Sequence, residues 1–367
     1  MGVRTEPVVV SLTGEMQTGP LERFMLVLRQ ALGRAGAFTD SDGGAEPNFV
    51  LNAVDREAPK PFRRKSRGTF VAAVHERESM PSDIEESLKL EYPMLVRALA
   101  NIVLCYVPGT GAYFTTMERG HYLVPEDGDL DAMADKVVAR LMPLATSKLV
   151  IDNDFRTDLE EELWDGDEVT EEIFEAGRRL GELNLLPNPF PIEDLLSERE
   201  LRHVKRLYSI GGLSYGNLSM RKDETRFWMS ASGVDKANLH EPSRDVLLVS
   251  GYVPEEAKMV LSVAPGVEPR RVSVDAIEHW MIYRNHPDVG AILHVHAWVE
   301  GVPATDVNYP CGTAELARAV SDLIDAAPEP NRAIVGLRNH GITATGDSLV
   351  EIIDRITPGL LRQVPMT

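Results

Sequence analysis

The stretch that most constrains the fold is the nine-residue run Val-Gly-Ala-Ile-Leu-His-Val-His-Ala at positions 289–297. Its short length and apolar content predict a buried β-strand. Side chains alternate between the two faces of a strand, so His294 and His296 point one way while Leu293 and Val295 point the other. Two imidazoles on one face can chelate a single metal ion, although paired histidines also occur at strand edges as ordinary surface residues.

A third histidine follows a second apolar run. Residues 333–337 predict another buried strand, which leads into Arg-Asn-His-Gly with His340 beside Gly341. A histidine at the end of a strand is placed where a third ligand can reach a shared site. Three neutral imidazoles leave coordination positions open for water or substrate, which is the arrangement of catalytic metal sites. The sequence therefore predicts a divalent metal held by His294, His296 and His340.

Charge and cysteine content exclude several classes of protein. The chain has 57 acidic and 38 basic residues, a formal net charge of −19, whereas nucleic-acid and anionic-membrane surfaces need clustered Lys and Arg. Two cysteines, Cys105 and Cys311, cannot form a disulfide framework and favour a reducing compartment. The sequence has no apolar run of ~18 residues and no signal-peptide pattern. We expect a cytoplasmic enzyme with a small-molecule substrate and neither a nucleic-acid nor a membrane partner.

The chain length of 367 residues suits two domains. Residues 1–150 alternate short apolar runs with amphipathic helical patterns, which predicts a separate N-terminal α/β domain of unassigned role. Between Asp152 and Glu175 there are twelve acidic residues and one basic residue, and within this stretch we predict an acidic linker over residues 151–166. Residues 167–367 form the second predicted domain.

The second predicted domain contains several motifs that belong together. In chain order they are residues 172–180, Tyr-Gly-Asn-Leu-Ser at 215–219, Ser-Ala-Ser-Gly-Val at 230–234, residues 283–288, the paired-histidine strand and Asn-His-Gly at 339–341. With these motifs, residues from about 167 to 357 resemble the class II aldolase/adducin family, which includes fuculose-phosphate aldolase, ribulose-phosphate 4-epimerase and methylthioribulose-phosphate dehydratase. The resemblance implies an α/β/α layered domain around a mostly antiparallel sheet, commonly assembled as a homotetramer with sites at subunit interfaces.

The resemblance also implies a metal-dependent reaction. The expected ion at the three histidines is Zn²⁺, with Mn²⁺, Fe²⁺ and Co²⁺ as alternatives. It would act as a Lewis acid that stabilises an enediolate. The expected function is that of a lyase that reversibly cleaves a hydroxylated carbonyl substrate, sugar-like or sugar-phosphate-like, by an aldol reaction. An epimerase or dehydratase working through the same enediolate is an alternative, and so is a non-catalytic binding module such as adducin.

Two residues are candidates for proton transfer by resemblance. Family aldolases place a glutamate nineteen residues before the first metal histidine, and that spacing falls here on Asp275, as in the epimerase branch. Glu278, one helical turn further on, is an alternative, and either carboxylate could instead simply face the positive end of a helix. Family aldolases also use a tyrosine of a neighbouring subunit as a proton donor, for which Tyr309 is the candidate.

An anion-binding region is the last feature that the resemblance implies. In phosphate-using relatives three Gly/Ser segments surround the phosphoryl group, and the matching residues here are Ser214, Gly216, Asn217, Ser232, Gly233 and Ser273. Val274 replaces a second serine of the family, and one lost hydrogen bond to a charged group is worth about 1.5–3 kcal/mol. Such segments are also ordinary turn formers. The sequence leaves open whether the substrate carries a phosphate, a carboxylate or no anion.

Overall fold

The computed structural model of the protein describes residues 8–14, 19–39, 47–65, 69–116, 121–185, 196–202 and 216–366. These residues form two compact units, and the boundary between them falls between Thr146 and Ser147. The described segment 196–202 groups with the N-terminal unit. Among the described residues, every helix is too short or too polar to cross a membrane.

The N-terminal unit is built on a seven-stranded mixed sheet with the strand order β2-β1-β3-β4-β5-β6-β7. The first five strands in this order are parallel to one another. Strand β6 pairs antiparallel with β5, and β7 pairs antiparallel with β6 at that edge of the sheet. The strands are β1 (Val9–Gly14), β2 (Phe38–Thr39), β3 (Phe49–Ala53), β4 (Phe70–Glu76), β5 (Ile102–Val107), β6 (Gly111–Thr116) and β7 (His121–Pro125). The helices are α1 (Pro20–Arg34), α2 (Ile84–Arg97) and α3 (Leu130–Thr146).

The two faces of this sheet have different cores. On one face α1 and α3 pack against an apolar cluster that includes Phe24, Val74 and Leu104. On the other face a row of polar side chains crosses neighbouring strands, since His75 lies opposite Cys105 and Cys105 lies opposite Tyr113. This second face is therefore the one on which polar groups must find hydrogen-bond partners away from water.

Glu91 of α2 supplies those partners. Its Oε2 lies 2.7 Å from His75 Nε2, and its Oε1 accepts a hydrogen bond of 2.7 Å from the Tyr113 hydroxyl. Arg77 Nε donates to the same Oε1 at 3.0 Å. We call His75, Arg77, Glu91, Cys105 and Tyr113 the polar cluster under α2.

The C-terminal unit is built on an eight-stranded sheet with the order β15-β16-β13-β9-β10-β11-β12-β8. Every neighbouring pair is antiparallel except β12 and β8. Its strands are β8 (Asp152–Arg156), β9 (Gly216–Arg221), β10 (Phe227–Ser230), β11 (Val246–Val253), β12 (Lys258–Ser262), β13 (Ala291–Val295), β15 (Ile334–Leu337) and β16 (Gly341–Gly346). Two short strands, β14 (Trp298–Val299) and β17 (Leu360–Leu361), pair separately.

The acidic stretch predicted above as a linker over residues 151–166 has a different structure. Residues Asp152–Arg156 are strand β8, which pairs in parallel with β12 and closes one edge of the sheet, and Glu161–Leu163 form a 3-10 turn. Four of the five β8 side chains are polar or charged, so the sequence pattern conceals the strand, whose backbone bonds hold it in the sheet.

Three of the four α-helices described in the C-terminal unit are capped at their first turns. The four helices are α4 (Glu168–Glu182), α5 (Ala276–Asn285), α6 (Ala314–Asp325) and α7 (Leu349–Ile356). Asp167 and Thr170 form a capping box at the start of α4, and Thr313 and Ser348 cap α6 and α7. Helix α4 packs with α7, and α5 packs with α6. Helix α5 is the exception, since the side chain at its N-cap makes no capping bond.

Candidate active site

Three histidines converge where strands β13 and β16 lie side by side. His294 lies in β13, His296 follows it by two residues, and His340 immediately precedes β16. The centroids of their rings are 5.2, 4.8 and 4.9 Å apart, and Nε2 of His340 lies 3.1 Å from Nε2 of His296. All three side chains are buried, and one nitrogen of each lies within 4.8 Å of the others. We call them the histidine triad.

Glycines allow the backbones that carry the triad to approach closely. A Cβ on Gly216 would lie 2.0 Å from the carbonyl oxygen of His294, and one on Gly341 would lie 2.2 Å from that of Val295. Gly216 also has a φ of +137°, which L side chains rarely adopt. These two positions beside the triad therefore require glycine.

His294 and His340 have the protonation state that a metal needs. Burial lowers the pKa of His294 to about 4, and burial together with the charge of His294 lowers the pKa of His340 to about 3. Neutral imidazole is the form that binds metals. Within the described residues, Nε2 of His294 is buried and makes no hydrogen bond. A set of three imidazoles with such an unsatisfied nitrogen fits a divalent transition-metal ion.

Asp275 occupies the N-cap of α5, yet its side chain does not cap the helix. Its Oδ2 accepts a 2.7 Å hydrogen bond from Nδ2 of Asn217, and its buried Oδ1 makes no hydrogen bond to the described residues. Burial raises the pKa of Asp275, against the opposing charge of His340 and the Asn217 bond. A buried carboxyl group with one open oxygen is suited to take up and release a proton.

Glu278 lies on the next turn of α5 and is also buried. Its Oε1 accepts a 2.6 Å hydrogen bond from the hydroxyl of Thr343 on β16. Burial and the nearby charge of Asp275 raise the pKa of Glu278 to about 8. The two candidate carboxyls thus have different partners, Asn217 for one and Thr343 for the other.

A buried cation near Asp275 escaped the sequence analysis. Lys236 is 2% exposed. Burial lowers its pKa to about 8, against the charges of Asp275 and Asp235. The only sequence signal is its position shortly after the Ser232–Gly233 turn, and surface lysines follow turns equally often. Lys236 places positive charge beside the Asp275 carboxylate.

The predicted anion-binding residues lie around the start of α5, apart from Ser214, which is outside the described residues. The backbone N–H of Ser232 donates to the carbonyl of Arg271 at 2.8 Å, and that of Ser273 donates to the carbonyl of Ser230 at 3.3 Å. These bonds hold the Ser-Gly turn alongside the segment that leads into Asp275. Asn217 and Gly216 join the same group through the Asn217–Asp275 bond.

The loop before α6 contributes two further residues. Tyr309 is half-buried and packs against the apolar core, and within the described residues no hydrogen bond joins its hydroxyl to Asp275 or the triad. Cys311 has its Sγ 3.4 Å from each ring nitrogen of His340. The structure thus brings Cys311, but not the Tyr309 hydroxyl, into contact with the triad.

Comparison with known proteins places this site in a family context. The family model described as "Class II Aldolase and Adducin N-terminal domain" matches residues 205–300. An L-fuculose phosphate aldolase of Methanococcus vannielii is 28% identical over 167 residues, which cover 40% of this chain and 79% of that relative.

Two further matches cover different shares of the chain. A methylthioribulose-1-phosphate dehydratase of Klebsiella pneumoniae is 35% identical over 81 residues, 22% of this chain, and the chain spans only 34% of that relative's length. A solved structure of an L-fuculose 1-phosphate aldolase has a TM-score of 0.36 at 19% identity, over 53% of this chain and 83% of that one.

Proposed function

Because this chain carries a class II aldolase/adducin domain, as its sequence motifs predicted, we propose that its C-terminal unit is a metal-dependent lyase. The proposed reaction is the reversible aldol cleavage of a hydroxylated carbonyl compound. The observation that carries the proposal is the convergence of three buried imidazoles beside a buried carboxyl group with an open oxygen. An adducin-like binding module would not need that combination.

The proposed cofactor is a divalent ion held by His294, His296 and His340, with Zn²⁺ as the first choice for three imidazole ligands. When bound, such an ion supplies Lewis-acid polarisation of a substrate oxygen. The residues of the chain then have separate tasks. Asn217 orients the Asp275 carboxylate through its 2.7 Å hydrogen bond, and the buried surroundings exclude water from it.

Asp275 is proposed as the acid/base. Its Oδ1 would accept the proton of the substrate hydroxyl as the carbon–carbon bond breaks and would then deliver a proton to the carbon released by that cleavage. In the reverse direction it would remove the proton from that carbon and return a proton to the oxygen of the new hydroxyl. Its raised pKa supports this role, since a general acid/base works best when its pKa approaches the operating pH. Aspartate is one methylene shorter than glutamate, so the substrate carbon must come closer to the α5 N-terminus.

An anionic group on the substrate is proposed to bind among Gly216, Asn217, Ser232, Gly233 and Ser273. The positive charge of Lys236 beside this region supports the assignment, since it offsets part of the negative charge of Asp275. The relatives' names contain sugar phosphates, an L-fuculose phosphate and a methylthioribulose 1-phosphate. We therefore propose a phosphorylated hydroxy-carbonyl substrate ahead of a carboxylate or an uncharged one.

Dehydration or epimerisation on the same scaffold is the second candidate. It is favoured by aspartate at position 275, where the sequence resembles the epimerase branch, and by the match to a dehydratase. All three reactions begin by polarising a carbonyl and moving a proton next to it. The products distinguish them: aldol cleavage releases an aldehyde, dehydration raises the ultraviolet absorbance of a new enone or diketone, and epimerisation changes only optical rotation.

Metal analysis tests the proposal first. We expect purified protein to contain close to one divalent ion per chain, and His296→Ala to lose it, because two imidazoles hold an ion far less tightly than three. Incubation of the metal-loaded protein with phosphorylated and unphosphorylated hydroxy-ketones should then release an aldehyde. Protein that takes up no divalent ion would overturn the lyase and the dehydratase alike.

Asp275→Asn tests the acid/base assignment. It should lower kcat by about 100-fold or more, the usual worth of a general acid/base, while metal content stays at the wild-type level. Asp167→Asn is the matched control, because it alters another helix N-cap carboxylate in the same unit and asparagine still caps. Full activity of the Asp275 variant would reject the role.

The homotetramer and the role of Tyr309 as a proton donor from a neighbouring subunit remain predictions. The half-buried position of Tyr309 on the loop before α6 is compatible with a role in another subunit's site. Light scattering gives the mass in solution. Tyr309→Phe should then lower kcat without changing metal content, and an unchanged kcat would remove Tyr309 from the site.

A further inference from the structure

We propose that Glu278 is a positioning residue: through the hydroxyl of Thr343 it holds the ring of His294 in the tautomer that directs Nε2 towards the metal. The inference rests on the proposed function, because it requires a metal ion at the histidine triad. It assigns a task to a buried carboxyl group that the acid/base reaction does not use.

The geometry forms a three-residue chain. Thr343 and His294 lie directly opposite each other on β16 and β13. The Thr343 hydroxyl donates its hydrogen to Oε1 of Glu278 at 2.6 Å, and its oxygen lies 3.4 Å from Nδ1 of His294. The three residues are 0%, 1% and 2% exposed in the order Thr343, His294 and Glu278, so water does not compete for these contacts.

The direction of the first hydrogen bond determines the second. A hydroxyl has one hydrogen, and that of Thr343 points to Glu278. Its oxygen therefore offers lone pairs to the imidazole, which makes a favourable contact only if Nδ1 carries a proton. A neutral histidine protonated on Nδ1 has its lone pair on Nε2, and Nε2 of His294 is the buried nitrogen with no hydrogen bond to the described residues.

The series of contacts from Glu278 through Thr343 to His294 resembles the contacts that orient metal ligands in other proteins. Metal-binding histidines commonly donate their second ring N–H to a carboxylate or carbonyl, and loss of that partner weakens metal binding by about 10- to 100-fold. His294 also hydrogen-bonds the backbone at Ile342. The contact through Thr343 and Glu278 is made by side chains, so a substitution can remove it.

The division of tasks between the two carboxyls follows. Oε1 of Glu278 is bound to Thr343, on the strand that neighbours the ligand strand. Oδ2 of Asp275 is oriented by Asn217 on β9. One oxygen of each carboxyl, Oδ1 of Asp275 and Oε2 of Glu278, makes no hydrogen bond to the described residues, so the two differ in the partner that orients them. Glu278 thus acts through His294 and Asp275 acts on the substrate, which separates two residues that the sequence offered as alternatives for one role.

Thr343→Val removes the hydroxyl and keeps the shape of the side chain. We expect its dissociation constant for Zn²⁺, measured by competition with a chromophoric chelator, to rise about 10- to 100-fold. Thr345→Val is the matched control: it deletes another buried hydroxyl from the same strand, whose partners are backbone groups at Pro330 and Ala333 rather than the triad. The control should bind Zn²⁺ as the wild type does.

A second measurement uses metal-free protein. Nitrogen-15 NMR of the imidazole rings should show His294 protonated on Nδ1 in the wild type and a mixture of tautomers in Thr343→Val. Glu278→Gln should give an intermediate result, because its amide oxygen can still accept from Thr343, whereas Glu278→Leu should match Thr343→Val. Folding of each variant is checked by its circular dichroism spectrum.

The outcomes separate the two proposals. Unchanged Zn²⁺ affinity and an unchanged tautomer in Thr343→Val would show that the Ile342 backbone orients His294 alone, which overturns the inference and leaves the lyase proposal standing. A wild type that binds no metal would overturn the lyase proposal, and the tautomer measurement on the same metal-free protein would still report whether the Glu278–Thr343–His294 chain exists.

Discussion

At the scale of single residues, the site brings together several ionisable side chains that are almost completely buried. Asp275, Glu278 and Lys236 are each less than a tenth exposed, and the histidine triad lies beside them. Burial shifts their pKa values towards the neutral form, raising those of Asp275 and Glu278 and lowering those of Lys236, His294 and His340. Burial of these groups thus costs stability that ligand binding can offset.

The pKa shift of Glu278 allows this loss of stability to be measured. Its pKa rises from 4.5 in the unfolded chain to about 8 in the folded protein. The stability that it contributes is therefore fully present below pH 4.5 and is lost as the pH rises through 8, with a slope of about 1.4 kcal/mol per pH unit between these values. In metal-free protein we expect Glu278→Gln to be increasingly more stable than the wild type as pH rises, as followed by urea denaturation. A constant difference from pH 5 to 8 would contradict the shifted pKa.

Sequence reasoning predicts the triad and Asp275 as candidates, because the histidines lie in local motifs and Asp275 lies nineteen residues before His294. It does not identify Lys236 or Thr343. A lysine after a turn and a threonine in a strand are common, and what distinguishes these two is burial against residues more than thirty positions away. Such contacts are created by sheet pairing, which one sequence does not encode in any short pattern.

At the scale of secondary-structure elements, helix α2 depends on the polar cluster beneath it. Burial alone would lower the pKa of His75, but its contacts with Cys105 and Glu91 outweigh burial and raise it to about 10. The pKa of Glu91 is lowered, against its own burial, by His75 and Tyr113. His75 and Glu91 therefore form a buried ion pair at neutral pH.

Glu91→Gln should destabilise the protein by about 3–5 kcal/mol, because it leaves buried cationic partners without their carboxylate. Glu85→Gln on the same helix is the control; it breaks the exposed pair with Lys89 and should cost roughly 0.5 kcal/mol or less. Thermal unfolding measures both. The stability from His75 is complete below pH 6.5 and is lost as pH rises through 10, so the difference between Glu91→Gln and the wild type should shrink progressively between pH 6.5 and pH 10. Equal effects of the two substitutions would contradict a buried ion pair.

The elements themselves are predictable where their patterns are strong. Strands β1, β3, β4 and β5 and helices α1 and α3 appear as apolar runs or amphipathic repeats in the sequence. Helix α2 is harder to recognise because it contains Pro93, which usually ends a helix. Strand β8 is hidden because polar side chains dominate it and tertiary pairing overrides its weak strand propensity.

At the scale of the whole molecule, the negative net charge of the protein opposes the approach of the proposed anionic substrate. The net charge of −19 repels an anion at long range, whereas the local positive charge of Lys236 attracts it only nearby. Salt screens the long-range repulsion, since the Debye length falls from about 30 Å at 0.01 M to about 10 Å at 0.1 M. We expect kcat/KM for a phosphorylated substrate to rise a few-fold over this range of ionic strength.

An unphosphorylated analogue of the same substrate serves as the reference, because an uncharged molecule experiences no net repulsion. Its kcat/KM should stay constant as salt is added. Steady-state kinetics with both compounds at matched pH tests the idea. A fall in kcat/KM for the phosphorylated compound would mean that local positive charge dominates its approach from the start.

Strand β8 has a practical consequence for anyone who separates the two units. It precedes α4 in the chain but forms the outer strand beside β12. A fragment that begins at residue 167, the start of the second predicted domain, would leave the N–H and C=O groups along one side of β12 without their partner. Exposed sheet edges of this kind recruit strands from other molecules. Such a fragment would retain every proposed ligand and still tend to self-associate, so a soluble excised C-terminal unit must begin before Asp152.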